Sequence, residues 1–189
     1  FDDGEGRTLF EVLADGGHPD DETLVLQRGP TCFAVMNAYP YTSGHLMVLP
    51  RRAVGELAEL TDDEHAELWA TVRDAVAAVN SALEPGGVNV GVNLGRAAGA
   101  GIPGHLHVHV VPRCSGATNF TTTVANVRVL PEALGESWRR LREAWPADEL
   151  LGLGHIKDAV NLIRQNQGKS IDIHDVSNIK EDSRVRAQL

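Results

Sequence analysis

The chain has 189 residues, 42% of them hydrophobic and 23% charged, with a formal net charge of −9. This length suits one domain, with two as the upper bound, and it is enough to bury an ordinary core. The acidity argues against a surface that grips nucleic acid, and no apolar run reaches the roughly 18 residues that cross a bilayer.

The opening stretch FDDGEGRTLF has neither a signal-peptide shape nor an initiator Met, so the true N-terminus is expected to lie upstream. Cys32 and Cys114 are too few for a disulfide framework, and a reducing, cytoplasmic location is the expectation. The acids are unevenly spread. None lies between Arg28 and Gly55 or between Pro85 and Pro131, stretches that carry Arg28, Arg51, Arg52, Arg96, Arg113 and Arg128. Two readings follow. Either the fold gathers a neutral-to-basic site for an anionic small molecule, or both stretches are largely buried strands that exclude acids anyway.

Glu22–Arg28 reads as a strand, and Cys32–Pro50 as two strands split by the turn-rich cluster Tyr39–Gly44. Residues 62–83 form the clearest helix. Thr61 and Glu64 make a capping box, Leu68, Val72, Val76, Val79 and Leu83 form a stripe, and Glu84-Pro85-Gly86-Gly87 ends it. Val88–Gly95 and His105–Pro112 read as two further strands, flanking a loop of small residues, Arg96–Gly104. A second helix is expected over 131–145, with Pro131 in its first turn. Strands grouped around one long helix predict an antiparallel α+β domain. Composition changes near residue 155, so 1–154 is read as the domain. Residues 155–189 are read as an appended polar tail with a short amphipathic helix carrying Ile156, Val160 and Ile163. Gly168-Lys169-Ser170 is not a P-loop, because the glycine needed five residues earlier is Ile163. The sequon at Asn119 is read as chance.

The stretch GHLHVHVVPR, Gly104–Arg113, places His105, His107 and His109 at strict alternation. On a strand they share one face, while Leu106, Val108 and Val110 fill the other, which predicts a solvent- or cleft-facing row of imidazoles. Two chemistries use such a row. One is metal binding, which needs a third ligand that only His45, His65, Cys32 or Cys114 could supply from elsewhere in the fold. The other is nucleophilic attack on phosphorus by a neutral imidazole, with a neighbouring His assisting the leaving oxygen. The loop before the strand favours phosphorus. Gly99-Ala100-Gly101-Ile102-Pro103-Gly104 permits backbone N–H groups to face an anion, and Asn93 can donate an amide to a phosphate oxygen.

HLHVHVV resembles the histidine triad signature of the HIT superfamily at all seven positions. The resemblance spans roughly residues 8–145, including VMNAYPYTSGHLMVLPRR and VNLG, and lies toward Fhit-like and bacterial diadenosine-polyphosphate-processing members. It implies a five-stranded antiparallel sheet with two main helices and a homodimer joined edge to edge. It implies His107 as the nucleophile that takes up a nucleoside monophosphate, His109 at the α-phosphate or bridging oxygen, and His105 in support. Asn37 and His45 fall at nucleoside-side positions, Asn93 at a phosphate-side amide, and Gly99, Ala100, Gly101 and Ile102 at the phosphate loop. Many bacterial relatives carry Cys-x-x-Cys near the N-terminus as part of a structural zinc site. Thr8 and Glu11 stand there in this chain, so no metal is expected. No bound cofactor is expected either, with magnesium at most accompanying the substrate. The implied activity is cleavage of a dinucleoside polyphosphate by water or phosphate, through a nucleotidyl-histidine. A nucleoside phosphoramidase, a non-catalytic nucleotide-binding module and a metallohydrolase are the rival readings; no nucleic-acid or membrane partner is expected.

Overall fold

A computed structural model of the protein describes residues 6–114 and 132–146. Two short helices, α1 (Leu9–Asp15) and α2 (Asp20–Thr23), precede strands β1 (Val25–Arg28), β2 (Cys32–Met36) and β3 (Leu46–Pro50). The long helix α3 (Asp62–Leu83), strands β4 (Gly87–Val92) and β5 (Val108–Arg113), and helix α4 (Leu134–Glu143) follow. The five strands form one antiparallel sheet in the order β1-β2-β3-β5-β4. The chain divides into units Phe1–Trp145 and Pro146–Leu189. The expected boundary at 154/155, the tail, Asn119, Arg128 and Pro131 lie outside the described residues.

Strand alternation sorts the core into two clusters. Leu26, Cys32, Ala34, Met36, Leu46, Val48, Leu106, Val108 and Val110 pack with Leu68, Val72, Ala75, Ala78 and Val79 of α3. Val25, Phe33, Val35, Met47 and Leu49 point the other way and pack with Phe10 and Ala14 of α1. Helix α3 starts as its sequence predicts. The Thr61 hydroxyl accepts from Glu64 N–H, and the Glu64 carboxylate accepts from Thr61 N–H. Glu64 also takes a forked ion pair from Arg52 at 2.6 and 2.7 Å, which holds its carboxyl down at about 2.

Several boundaries differ from the sequence expectation, each for a physical reason. β1 begins at Val25 rather than Glu22, because the acidic run Asp20-Asp21-Glu22 favours a helical turn at its N-terminal end. Helix α1 was not foreseen, although Thr8-Leu9-Phe10-Glu11 carries the capping-box spacing. α4 starts at Leu134. The histidine strand starts at Val108, not His105, because pairing with Val48 of β3 and Val92 of β4 begins there. The alternation still runs back through the preceding segment, since Leu106 N–H donates to Val54 O at 2.6 Å and its side chain stays in the α3 cluster.

The two edges of the sheet are treated differently. Trp138 Nε1–H and Arg142 of α4 donate to Val25 O and Leu26 O, which covers β1. β4 has a ladder on one side only among the described residues, and Val90 is 42% exposed.

The loop between β2 and β3 turns at Gly44, where φ is +79° and an added Cβ would overlap Leu83 Cδ1. Gly44→Ala should cost about 1–2 kcal/mol from the left-handed backbone alone, read as a lower urea midpoint, and an unchanged midpoint would contradict the assignment.

Candidate active site

The face of the sheet opposite α3 carries the histidines. His109 on β5 sits between Met47 of β3 and Gly91 of β4, so β4 places no side chain beside it. His107 and His105 continue the row toward α1. The rings of His107 and His109 lie 4.9 Å apart and nearly perpendicular, and those of His109 and His45 lie 5.2 Å apart. The Phe10 ring meets His105 edge-on at 5.2 Å. The row is buried rather than solvent-facing: His105 and His45 are 0% exposed, His107 6% and His109 9%. Helix α1 and the Asn37–His45 loop cover what the sequence left open.

Backbone groups fix the protons of these rings. A carbonyl can only accept, so His107 Nδ1 carries the hydrogen it donates to His105 O at 2.8 Å. In the neutral ring Nε2 is then an unprotonated lone pair. A backbone amide can only donate, so His45 Nδ1 accepts from Tyr41 N–H at 3.0 Å and His45 Nε2 bears the hydrogen. That hydrogen goes to His109 Nδ1 at 3.0 Å, which leaves His109 Nε2 as an N–H donor. Among the described residues this nitrogen is buried without a partner. A lone pair on His107 and a donor on His109 thus stand on neighbouring, perpendicular rings.

Burial pushes the His105 and His109 imidazoles below their ordinary range, and the neighbouring His107 adds to this for both. Pro50 O and Glu11 act in the opposite direction on His105.

The other predicted positions fall around the row. Asn37 Oδ1 accepts from Tyr39 N–H at 2.9 Å, and its Nδ2 lies 3.4 Å from His45 Nδ1, so it shapes the loop that carries His45. Asn93 follows β4 on the histidine face, and its Nδ2 is 3.7 Å from where a Gly99 Cβ would be. The glycine loop is a tight turn: Gly99 N–H and Ala100 N–H fold back onto Arg96 O and Gly95 O. Gly101 and Ile102 N–H make no backbone hydrogen bond among the described residues, which leaves them as the loop's donors. Ala100 is buried, whereas Ile102 is exposed.

Three of the arginines in the acid-free stretches already have acidic partners. Arg28 pairs with Asp20, Arg51 lies 3.8 Å from Asp15, and Arg52 holds Glu64. Acids outside the acid-free stretches meet them in space. Two of the four side chains offered as completing metal ligands lie away from the row, while His45 lies beside His109. Cys32 faces the α3 side, its thiol pushed up to about 12 by burial, and His65 is on the outer surface of α3 beside Trp69. Among the described residues no three His, Cys, Asp or Glu side chains are grouped to hold a metal ion. Tyr41 was missed by sequence reasoning. Its ring lies 4.6 Å from His45 and 5.9 Å from His109, and its place in the turn-rich YPYTSG cluster concealed it.

The HIT domain family matches residues 19–116, just over half of the chain and inclusive of the whole histidine row. The chain belongs to the HIT family. Its five-stranded antiparallel sheet has the HIT fold. A crystal structure of a zinc-bound histidine triad family protein from Mycobacterium smegmatis superposes with a TM-score of 0.59 at 25% identity, covering 80% of this chain and 96% of that one. An AP-4-A phosphorylase of Mycobacterium tuberculosis is 48% identical over 126 residues, 67% of this chain and 65% of the relative. The asymmetrical bis(5'-nucleosyl)-tetraphosphatase of Schizosaccharomyces pombe is 35% identical over 89 residues, 47% of this chain and 48% of the relative. The chain therefore spans about half to two thirds of the curated relatives' lengths. No helix among the described residues is long and apolar enough to cross a membrane.

The lowered imidazoles give this HIT domain a pH-dependent stability. Folded His105 and His109 bind protons less readily than the unfolded chain, whose imidazoles titrate near 6.5. Stability should therefore be full above that pH and fall as pH drops toward the folded values. A urea midpoint that decreases from pH 7.5 to 5.5, less steeply in His105→Asn, is the expected result; a flat midpoint contradicts it.

Proposed function

We propose that this HIT domain cleaves dinucleoside polyphosphates by transferring a nucleoside monophosphate to His107. The observation that carries this reading is the pair of complementary ring nitrogens, the His107 Nε2 lone pair and the His109 Nε2 donor. The names of the two curated relatives agree with the substrate class.

His107 Nε2 attacks the α-phosphorus, and the bond from phosphorus to the bridging oxygen breaks. His109 Nε2–H donates a hydrogen bond to that oxygen as it takes the electron pair; the nucleotide departs as its terminal phosphate anion, and the ring of His107, still holding its Nδ1 hydrogen, carries the positive charge. A nucleotidyl-histidine remains. Water or inorganic phosphate then attacks phosphorus and gives its proton to solvent, and the phosphorus–nitrogen bond breaks, returning the lone pair to His107 Nε2. Gly101 and Ile102 N–H and the Asn93 amide supply neutral donors for the phosphate oxygens. Neutral donors suit a site whose nearby arginines Arg51 and Arg52 are already paired. Asn37 and the Tyr41 ring border the nucleoside end of the row. No bound cofactor enters this scheme; magnesium arrives with the polyphosphate. A second copy of the chain pairs along the open β4, extending the sheet across a homodimer. The free thiols of Cys32 and Cys114 agree with a cytoplasmic location.

Incubation with diadenosine tetraphosphate tests the reaction. Hydrolysis gives AMP and ATP, and phosphorolysis in added phosphate gives ADP and ATP. Turnover should fall by on the order of a thousandfold or more in His107→Asn. Folded protein that turns over neither this substrate nor other dinucleoside polyphosphates would refute the reading, and so would a His107→Asn variant with wild-type activity.

A further inference from the structure

The Thr8–Glu11 corner of α1 lies outside the residues matched to the HIT family, yet it touches the histidine row directly. Thr8 Oγ1 is 2.9 Å from His105 Nδ1, and His105 Nε2 is 2.9 Å from Pro50 O. Glu11 Oε2 accepts from Thr8 N–H at 2.8 Å and lies 3.0 Å from Thr8 Oγ1, while Glu11 Oε1 accepts from Ala53 N–H at 3.0 Å. Ala53 precedes Val54, whose carbonyl holds Leu106 N–H. One carboxylate therefore ties the helix cap, the loop after β3 and the histidine segment together.

From this arrangement we infer that Thr8 and Glu11 are positioning residues for the histidine row, holding the His105 ring and, through the His105 carbonyl, the reactive nitrogen of His107. The inference rests on the proposed nucleotidyl transfer for its effect on rate, but not for its effect on the His105 ring.

Pro50 O accepts only, so His105 Nε2 carries a hydrogen in every state. In the neutral ring Nδ1 is a lone pair, and the Thr8 hydroxyl donates to it. The same hydroxyl hydrogen is within reach of Glu11 Oε2, and Thr8 has only one to give. Burial keeps His105 neutral, and the groups facing it are Glu11 from α1 and His107 on its own segment, with the Phe10 ring closing the side. The clamp thus favours one tautomer and one ring orientation. The His105 carbonyl, which orients His107, belongs to the residue so fixed.

The test compares full-length Thr8→Val, Thr8→Ser and Glu11→Gln with wild type, by imidazole ¹H–¹⁵N spectra and by turnover of diadenosine tetraphosphate. In Thr8→Val, kcat should fall by about tenfold to a hundredfold, as misplacement of a reacting group does. KM should stay near wild type, and the His105 Nδ1 resonance should move as its donor is lost. Thr8→Ser, which restores the hydroxyl, should recover both. In Glu11→Gln the His105 titration should shift to lower pH, because the carboxylate favours the cation. A Thr8→Val variant with unmoved His105 resonances and unchanged kcat overturns the inference. So does an equal loss in Thr8→Val and Thr8→Ser. Should wild type prove inactive on dinucleotides, the proposed function fails while the His105 resonances still decide whether Thr8 and Glu11 hold the ring.

Discussion

The hydrogen bond from His107 Nδ1 to the carbonyl of His105 is the constraint on which the rest of the site depends. A histidine free to exchange tautomers presents a lone pair at Nε2 only part of the time. A backbone carbonyl, which cannot donate, removes that freedom. The same segment that makes this bond between residues two apart also places His105, His107 and His109 on one side of the chain. It sends Leu106, Val108 and Val110 into the α3 cluster on the other. The apolar half of the alternation holds the segment in place, and the polar half does the chemistry.

Covering the row serves the same end. Burial keeps His105 and His109 neutral, so each offers one donor and one acceptor instead of two donors. The order of donors that begins at Tyr41 N–H and passes through His45 ends at His109 Nε2, and it would break if any ring in it became protonated. His45 is therefore a ring that sets the role of another ring. It is fully buried and lies behind His109, not at an open surface. Three arginines that look available in the sequence, Arg28, Arg51 and Arg52, are held by Asp20, Asp15 and Glu64.

Much of this was legible in the sequence because it rests on local pattern. A period of two in HLHVHVVP names the face on which the histidines lie, and the Thr61/Glu64 box and apolar stripe name α3. The sheet order, the burial of the row and the position of its first strand residue were not legible. They depend on pairing between segments 60 residues and more apart, such as Met47 with His109. The link between Thr8 and His105, 97 residues apart, was invisible for the same reason. The spacing Thr8-x-x-Glu11 carries a signal, that of a helix cap, but a cap does not say which distant ring it touches. The glycine loop shows the opposite error. Its composition suggested a row of free amides, but Gly99 and Ala100 use theirs to close the turn.

The most direct measurement is mass spectrometry of protein mixed briefly with diadenosine tetraphosphate and quenched at alkaline pH, with the adduct located by peptide fragmentation. The account predicts one added adenylyl group on His107, absent from His107→Asn. An adduct on another residue, or turnover with no adduct in a variant whose second step is slowed, would contradict it.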